Sequence, residues 1–147
     1  MIARCKFTSW TLDDVARSEG NPRFTPEFAL TRGRDYLVLG VQFIRNSSIY
    51  GRIVLFEIEQ DDGLLLSIPN TLFDVVDGRV SKWWTVRQDA DGDLKIWPEE
   101  FYRDYFHDDL SNGDAEAVTA FLKVSEKLGC EFEESEKGSV RAYVQNP

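Results

Sequence analysis

Short apolar runs, rich in β-branched and aromatic residues, alternate with polar turns through the first two thirds of the chain. Two of these runs flank the polar residues 45–48, and this arrangement predicts a β-hairpin. The strand-like segments are 1–10, 35–44, 50–60, 64–69, 70–78, 81–88 and 94–97. About six or seven short strands at such close spacing are typical of a small antiparallel barrel or a strongly bent sheet.

Two helices are predicted in the last third of the chain. Residues 98–110 open with a proline followed by acids at the positive end of the helix dipole, so a helix of one or two turns is expected there. A longer helix is expected over 111–129, where Ser111 or Asp114 can cap the start and Gly129 marks the end. Its predicted core-facing residues, at helical spacing, are Ala115, Val118, Phe121, Leu122 and Leu128.

Together these elements predict an α+β fold that is mainly β, with one short and one longer helix near the C-terminus. A length of 147 residues suits a single domain, and we expect one over 1–147. Residues 17–28 contain one glycine and two prolines and are expected to form a long loop. The charged segment 131–147 is expected to be an edge strand or a frayed tail.

Composition narrows the class of protein. Hydrophobic residues make up 42% of the chain and aromatic residues 13%, which is enough apolar material for a packed core. No run approaches the roughly 18 to 20 apolar residues of a membrane span, and the first residues lack a signal-peptide core, so a cytoplasmic protein is expected. Cys5 and Cys130 are isolated from each other and from histidine, which argues against a redox pair or a zinc cluster.

The net charge of −9 is unevenly distributed along the chain. Residues 1–53 carry eight basic and five acidic residues, whereas residues 54–147 carry nine basic and 21 acidic residues. An acidic surface repels the phosphates of nucleic acids and attracts basic partners over a Debye length of roughly 10 Å. A basic protein is therefore the expected partner, and nucleic acid and membrane are not. The alternative is that the acidity only keeps the protein soluble.

Residues 89–100 carry acids at positions 1, 3, 5 and 12 of a calcium-loop template. Leu94 stands at position 6, where the template needs glycine, and the flanking segments have the composition of strands rather than helices. The pair Asp91-Gly92 is instead typical of a hairpin turn. No metal site and no other cofactor is therefore expected.

The residue types needed for catalysis are sparse. His107 is the one histidine of the chain, and none of the common nucleophile, zinc or phosphate-loop motifs is present. Pairs of carboxylates could act as acid and base, but 26 acids in 147 residues produce such pairs by chance. We therefore expect a protein without enzymatic activity, with His107 at a helix end near Asp108 and Asp109. An enzyme that uses paired carboxylates is kept as one alternative function.

Aromatic and acidic residues together indicate a binding surface. Alternation along the predicted hairpin puts tryptophan on both faces, because Trp84 faces opposite to Trp83. One face covers the core, so Trp83 or Trp97 lies either under the C-terminal helix or at the surface, where a tryptophan among acids resembles an interaction hot spot. The predicted partner-binding residues are Glu57, Glu59, Asp61, Asp62, Trp83, Trp97, Glu99, Glu100, Asp104, Asp108 and Asp109.

Three stretches resemble a known group of proteins: SIPNTLFDVVDGRVSKWW, YLVLGVQF before it and WPEEFYRDYFHDDLSNGD after it. Over roughly residues 35–125 they are similar to small bacterial cytosolic immunity proteins of polymorphic toxin systems, which have a bent, SH3-like sheet. The resemblance implies a protein that binds a cognate toxin and neutralises it by occluding a basic active site. An acidic intracellular protein-binding module without catalysis is the alternative.

Overall fold

The computed structural model describes the backbone of residues 1–144 and the side chains of residues 1–133. Over this part of the chain the fold is α+β and mainly β, as the sequence predicts. The strands are β1 (Ile2–Cys5), β2 (Asp35–Leu37), β3 (Gly40–Ser47), β4 (Gly51–Glu59), β5 (Leu65–Pro69), β6 (Phe73–Asp77), β7 (Trp84–Gln88) and β8 (Leu94–Pro98). The helices are α1 (Leu12–Ser18), α2 (Phe106–Ser111) and α3 (Ala115–Val144), with 3-10 turns at Asn70–Leu72 and Glu99–Tyr102.

The strands form two antiparallel sheets. One has the order β2-β1-β6, and the other has the order β5-β4-β3-β8-β7. The chain crosses between them at Val38 and Leu39, inside a segment predicted as one strand. The amide of Val38 donates to Met1 O at 3.1 Å, and the next amide, of Leu39, donates to Glu57 O at 2.9 Å. The predicted bent β structure is thus divided between two sheets.

The predicted hairpins are present. β3 pairs with β4, and β7 pairs with β8. Gly63 turns the chain between β4 and β5 with a φ of 84°, and Gly92 turns it between β7 and β8 with a φ of 85°. Glycine adopts this left-handed backbone without the steric cost that a Cβ brings. The Asp-Gly pairs at 62–63 and 91–92 are therefore turns, as predicted.

The first hydrophobic core is formed by residues of both sheets and of α1, a helix that the sequence did not predict. The hydroxyl of Thr11 accepts from Asp14 N, and the Asp14 carboxylate accepts from Thr11 N at 2.8 Å, which makes a capping box. Seven residues are too few for a clear helical period, and the box has aspartate where glutamate or glutamine is usual. The predicted loop 17–28 therefore begins inside a helix, which ends at Ser18 with Glu19 as its C-cap.

The second core lies on the opposite face of the five-stranded sheet, under α2 and α3. Its buried residues are Leu39, Leu65, Trp97, Phe101, Phe106, Ala117, Phe121, Val124 and Leu128. The short helix predicted over 98–110 is present as α2 but begins only at Phe106, because a 3-10 turn occupies Glu99–Tyr102. Tyr105 separates them with a φ of 61°, a left-handed value that is uncommon outside glycine.

α3 extends beyond its predicted end at Gly129 and is helical through Val144, so the edge strand predicted within 131–147 is absent up to that residue. Residues 145–147 lie outside the described part of the chain. Leu122, predicted in the core, is 59% exposed, and Ala115 is exposed too. The buried side chains are Ala117, Phe121, Val124, Leu128 and Phe132, a stripe at helical spacing. Within the described residues no helix, α3 included, combines the length and the apolar character that crossing a membrane requires.

Candidate functional site

A row of polar residues crosses the five-stranded sheet on the face that α2 covers. The register places Glu57 of β4 opposite Ser67 of β5, and it places Gln42 of β3 opposite Lys95 of β8. Lys95 is in turn opposite Arg87 of β7. Opposite residues share a face, and Gln42 is opposite Leu55, which lies two residues before Glu57 on the same strand. These five side chains therefore lie on one face of the sheet and form a diagonal row across it. The other face carries most of the buried residues that this sheet contributes to the first core, among them Phe56, Ile58 and Ile68.

Glu57 occupies the buried part of this row. It was predicted to be an exposed, partner-binding acid, but it is 0% exposed, so it cannot contact a partner directly. Its carboxylate accepts from Gln42 Nε2, from Ser67 Oγ at 2.8 Å and from His107 Nε2 at 3.2 Å. Hydrogen bonds with these three neighbours supply the polar partners that a buried carboxyl group needs. Burial without such partners would cost several kcal/mol, on the order of the penalty for an unpaired buried charge.

His107 connects Glu57 to the surface. It lies in the first turn of α2, and its contact with Glu57 replaces the predicted contact with Asp108 and Asp109. The direction of this hydrogen bond follows the tautomer of the ring, with Nε2 donating when it carries the proton. The imidazole packs against Trp97, with 5.0 Å between ring centroids. The fold thus fixes the position of this histidine beside Glu57 and Trp97.

Trp83 and Trp97, the two tryptophans predicted to contact a partner, have different environments. Trp97 is 7% exposed under the helices, whereas Trp83 is 42% exposed, with the ammonium groups of Lys82 and Lys127 about 5 Å from its ring centroid. A Cβ at Gly40 would lie 2.5 Å from Cδ1 of Trp97, so glycine leaves room for the indole. Nε1 of Trp97 has no acceptor among the residues with described side chains. Trp83 is therefore the tryptophan available at the surface.

A cleft of about 350 Å³ opens beside His107. Trp97 and Tyr102 line it together with Tyr105, which is 77% exposed. The hydroxyl of Tyr102 contacts the carbonyl oxygens of Thr85 (2.6 Å) and Lys95 (2.7 Å), and burial raises the pKa of Tyr102. These contacts attach the 3-10 turn to β7 and β8. The cleft therefore has a fixed aromatic floor and an exposed aromatic residue at its edge.

The predicted acids at the end of β4 are largely engaged within the protein. Asp61 accepts from Thr31 Oγ1 at 2.6 Å, from Tyr36 Oη at 2.8 Å and from Arg34 at 2.8 Å. The hydrogen bonds from Thr31 and Tyr36 lower the pKa of Asp61. Asp62 caps its turn by accepting from Leu64 N at 3.1 Å. Glu59 is exposed, and partial burial of its carboxyl raises its pKa.

The predicted acids of residues 99–109 divide into two kinds. Three form ion pairs at 2.6 Å: Glu99 with Arg87, Glu100 with Lys127 and Asp109 with Arg103. Asp104 and Asp108 are exposed, line the cleft and have no side-chain partner among the described side chains. Glu59 and Asp61 line a different cleft, so the two predicted groups do not form one surface. Of the acids at the end of β4, Glu57 reaches the cleft of the second group through its hydrogen bond with His107.

The acids of the turn at 89–93 have structural roles. The Asp89 carboxylate accepts from the amides of Asp91 and Asp93, both at 3.0 Å, and Asp93 accepts from Arg45 N at 2.9 Å. These bonds hold the β7–β8 turn and tie it to β3. Among the residues with described side chains, no group of three or more His, Cys, Asp or Glu is placed to hold a metal ion.

Three residues of the site were not predicted from the sequence: Gln42, Ser67 and Tyr105. The first two lie on strands and meet Glu57 only through strand pairing, and a local pattern does not contain that pairing. Tyr105 lay inside a predicted helix, where its exposure could not be foreseen. Comparisons of the chain with protein-family models, with curated proteins and with solved structures give no significant match.

Proposed function

We propose that the protein binds a basic protein and inhibits it by occlusion, as an immunity protein does with its cognate toxin. The docking surface consists of the exposed residues of 99–109 and the neighbouring Trp83. The observation that carries the proposal is Tyr105, which is 77% exposed between Asp104 and Asp108, two acids without a partner in the described structure. An aromatic anchor surrounded by charge is typical of the residues that dominate binding energy at interfaces.

The docking surface is held rigidly from below. Phe101 and Phe106, on either side of Tyr105, stack in the second core with 4.8 Å between ring centroids. Arg103 pairs with Asp109 at 2.6 Å and also with Asp114, which caps the start of α3. A surface that is ordered before binding loses less conformational entropy on binding. This favours a tight complex over a transient one.

Electrostatics supports a basic partner. The chain carries a net charge of −9, and residues 54–147, which include the docking surface, carry 21 acids against nine bases. Such a field accelerates encounter with a basic surface, most strongly at low salt. A toxin that cleaves nucleic acid presents a basic groove to its substrate, and an acidic protein seated in that groove blocks access. The resemblance to immunity proteins points to the same mode of action.

The geometry gives less support to an enzyme. Glu57 and His107 could act as an orienting carboxylate and a base, but catalysis of that type needs a nucleophile beside the histidine. The hydroxyl of Ser67 contacts Glu57 rather than His107. A general protein-binding module would use the same docking surface, and the experiment below separates it from an immunity protein.

Co-expression tests the proposal. The product of the coding sequence adjacent to this one is expressed in a heterologous bacterium with and without this protein. We expect loss of viability without the protein and rescue with it. Tyr105→Ala and the double variant Asp104→Asn/Asp108→Asn are expected to lose rescue, because they remove the anchor and its free charges.

Two controls match these variants. Asp13→Asn/Asp91→Asn removes the same charge from exposed acids far along the sequence, and Phe7→Ala removes another exposed aromatic ring. Both are expected to preserve rescue. A neighbouring product that is harmless, together with a partner captured through the same surface, would favour the general binding module. Rescue that survives all docking-surface variants would refute the proposed surface.

A further inference from the structure

We propose that the chain forms a two-fold symmetric dimer in which β7 pairs antiparallel with β7 of a second copy. The inference goes beyond the proposed function, because β7 is not part of the segment 99–109. Trp83, one residue before β7, lies at the border of the pairing. The support comes from main-chain groups of β7 that have no partner, from the exposure of this strand and from the charges at its two ends.

The register of the β7–β8 hairpin determines which main-chain groups of β7 face outward. The amide of Asp89 donates to Asp93 O at 3.1 Å, so these two residues form a hydrogen-bonded pair. Hydrogen-bonded and non-hydrogen-bonded pairs alternate along an antiparallel ladder, which makes the pairs that Val86 and Gln88 form with β8 non-hydrogen-bonded. The amide and carbonyl groups of Val86 and Gln88 therefore point away from β8. No hydrogen bond joins these groups to another described residue.

The residues that carry these groups are exposed. β7 is an edge of the five-stranded sheet, and Val86, at its centre, is 59% exposed. Arg87 and Gln88 are exposed as well. An open edge with a β-branched residue at its centre is a template on which another strand can pair.

The other sheet edges of the described chain are each protected. β2 has only three residues, and β5 ends at Pro69, whose side chain is fully buried. The pairing of β6 with β1 contains a register shift, and β6 carries Asp74 and Asp77. Short strands, prolines, bulges and charges are the features that prevent edge pairing in natural sheets. β7 has none of the first three, and its one charged residue, Arg87, is paired with Glu99 at 2.6 Å.

The outward groups define the register of the dimer. With the two-fold axis at Val86, this residue lies opposite its own copy, and the two residues exchange amide-to-carbonyl hydrogen bonds. Gln88 then lies opposite Trp84 of the second copy, and its amide can donate to the Trp84 carbonyl. The two Val86 side chains lie side by side on the same face and contact each other. Every outward donor of Val86 and Gln88 thus gains an acceptor.

The turn at the end of β7 is acidic. Residues 89–93 include three aspartates, and Arg45 is the basic residue beside them without an ion pair among the described side chains. Arg52 lines the same groove but pairs with Glu19 at 2.8 Å. The carboxylate of Asp91 is exposed and has no partner in the described structure. The turn therefore keeps an excess of negative charge.

The other end of β7 offers a cation. Lys82 forms no ion pair with a described side chain, and its ammonium lies 5.1 Å from the ring centroid of Trp83. The neighbouring Lys127 already pairs with Glu100 at 2.6 Å, and Glu131 accepts from the amide of Lys82 at 2.8 Å. With the axis at residue 86, residue 82 faces residue 90 of the second copy. Antiparallel pairing therefore places each Lys82 beside the acidic turn of the other copy, whereas parallel pairing would place the two acidic turns side by side.

Sedimentation of the full chain over a concentration series tests whether the dimer forms. We expect the average mass to rise from one chain towards two between about 20 µM and 2 mM, because pairing of one short strand buries little surface and gives a weak dimer. Amide exchange with solvent, measured by NMR at the same concentrations, identifies the edge. The amides of Val86 and Gln88 are expected to exchange at least about twofold more slowly in the dimer. The amide of Arg87, which faces β8, should exchange equally at all concentrations.

Variants locate the pairing. Val86→Lys is expected to weaken the dimer at least about tenfold, because two ammonium groups would then face each other at the axis. Val75→Lys makes the same change on β6, where the side chain is 50% exposed, and should leave the dimer unchanged. Protection of the Arg87 amide in the Val86→Lys variant shows that the hairpin is still folded.

A charge exchange tests the antiparallel register. Lys82→Asp is expected to weaken the dimer about threefold, because it puts an acid beside the acidic turn of the second copy. Asp91→Lys in the same chain should restore the affinity, since opposite charges then meet again. The two changes leave the outward main-chain groups of β7 untouched.

Four results would each contradict the proposed dimer. The chain could remain monomeric at about 2 mM, well above the range in which weak interfaces of this size associate. Val86→Lys could dimerise like the parent protein, or Val75→Lys could weaken the dimer as strongly, and β7 would then not be the interface. A charge exchange that does not restore the affinity would contradict the antiparallel register.

Discussion

The binding surface predicted from the sequence contains two groups of acids, one at the end of β4 and one in residues 99–109. The environments of the two groups in the fold differ. At the end of β4, Glu57 is buried beneath α2 and Asp61 accepts from three side chains. In residues 99–109, three acids pair with basic residues, but Asp104 and Asp108 remain exposed beside Tyr105. The first group stabilises the fold, and the second is available to a partner.

The difference shows that charge density along a sequence measures neither exposure nor availability. A strand points alternate side chains towards a covered face, and a tight turn needs side-chain acceptors for its amides. Acids on strands and turns are therefore often buried or hydrogen-bonded within the protein. A segment that is interrupted, as residues 103–105 are between a 3-10 turn and α2, projects its side chains outward instead.

The largest expected effect comes from a cavity in the second core, against which the segment with the exposed acids Asp104 and Asp108 packs. Phe121 of α3 is buried in the second core, together with Phe101 and Phe106 of the docking segment. We expect Phe121→Ala to lower the free energy of unfolding by about 4 kcal/mol, the cost of a large cavity in a core. Leu122→Ala, at an exposed neighbour, is the control and should change it by less than about 0.5 kcal/mol. Denaturant unfolding of both variants measures this, and equal effects would contradict the observed face of α3.

The second largest effect on stability is expected at Glu57, the buried acid near the end of β4. Glu57→Ala leaves donors of Gln42, Ser67 and His107 without their acceptor, so we expect a loss of about 3 kcal/mol in the free energy of unfolding. Glu57→Gln keeps the shape and one acceptor oxygen and should cost less than half as much. If Glu57→Ala were as stable as the parent protein, Glu57 would be exposed and would belong with the available acids.

A smaller effect is expected at Asp61, and it depends on pH. The pKa of Asp61 is lowered in the folded protein from its ordinary value of 3.8, so its ionised form stabilises the fold. This stabilisation is present above pH 3.8 and is lost as the pH falls through the lower folded pKa. We expect Asp61→Asn to reduce the thermal midpoint at neutral pH, with a difference from the parent that disappears in strongly acidic solution.

Glu59→Gln is the control for Asp61, because Glu59 is an exposed acid on the same strand end without a described side-chain partner. It should leave the thermal midpoint at neutral pH unchanged or slightly raised, because the burial that raises the pKa of Glu59 disfavours its ionised form. A difference between parent and Asp61→Asn that persists unaltered at low pH would mean that the charge of Asp61 contributes nothing to the fold.

The smallest effect on stability is expected in the second group. Asp104→Asn/Asp108→Asn should change the free energy of unfolding by less than about 0.5 kcal/mol, since neither side chain has a described partner. The same variant should slow association with a basic partner and flatten its dependence on salt. Thermal unfolding and surface plasmon resonance measure the two quantities. Destabilisation without any change in association rate would remove the distinction between the two groups.

Local signals in the sequence determined much of the fold. The polar residues 45–48 between two strand-like runs predicted the β3–β4 hairpin, and Asp91-Gly92 predicted the β7–β8 hairpin. Asp114 was identified as a possible cap for α3, which it is. The class, α+β and mainly β, followed from these elements. Two predictions failed for reasons that are also local. α1 is too short to show a helical period. α3 continues past Gly129 because the buried stripe of this helix extends to Phe132.

Tertiary structure alone decided which acids are available. Glu57 and Glu59 are the same residue type, two positions apart on β4, so strand alternation assigns them to the same face. Glu57 is nonetheless fully buried and Glu59 is exposed. Glu57 is contacted by Gln42, by Ser67 and by His107, which lies fifty residues later in the chain on α2, whereas Glu59 has no described side-chain partner. Burial depends on what packs against a side chain, and a sequence pattern with a period of two contains no information about such a distant neighbour.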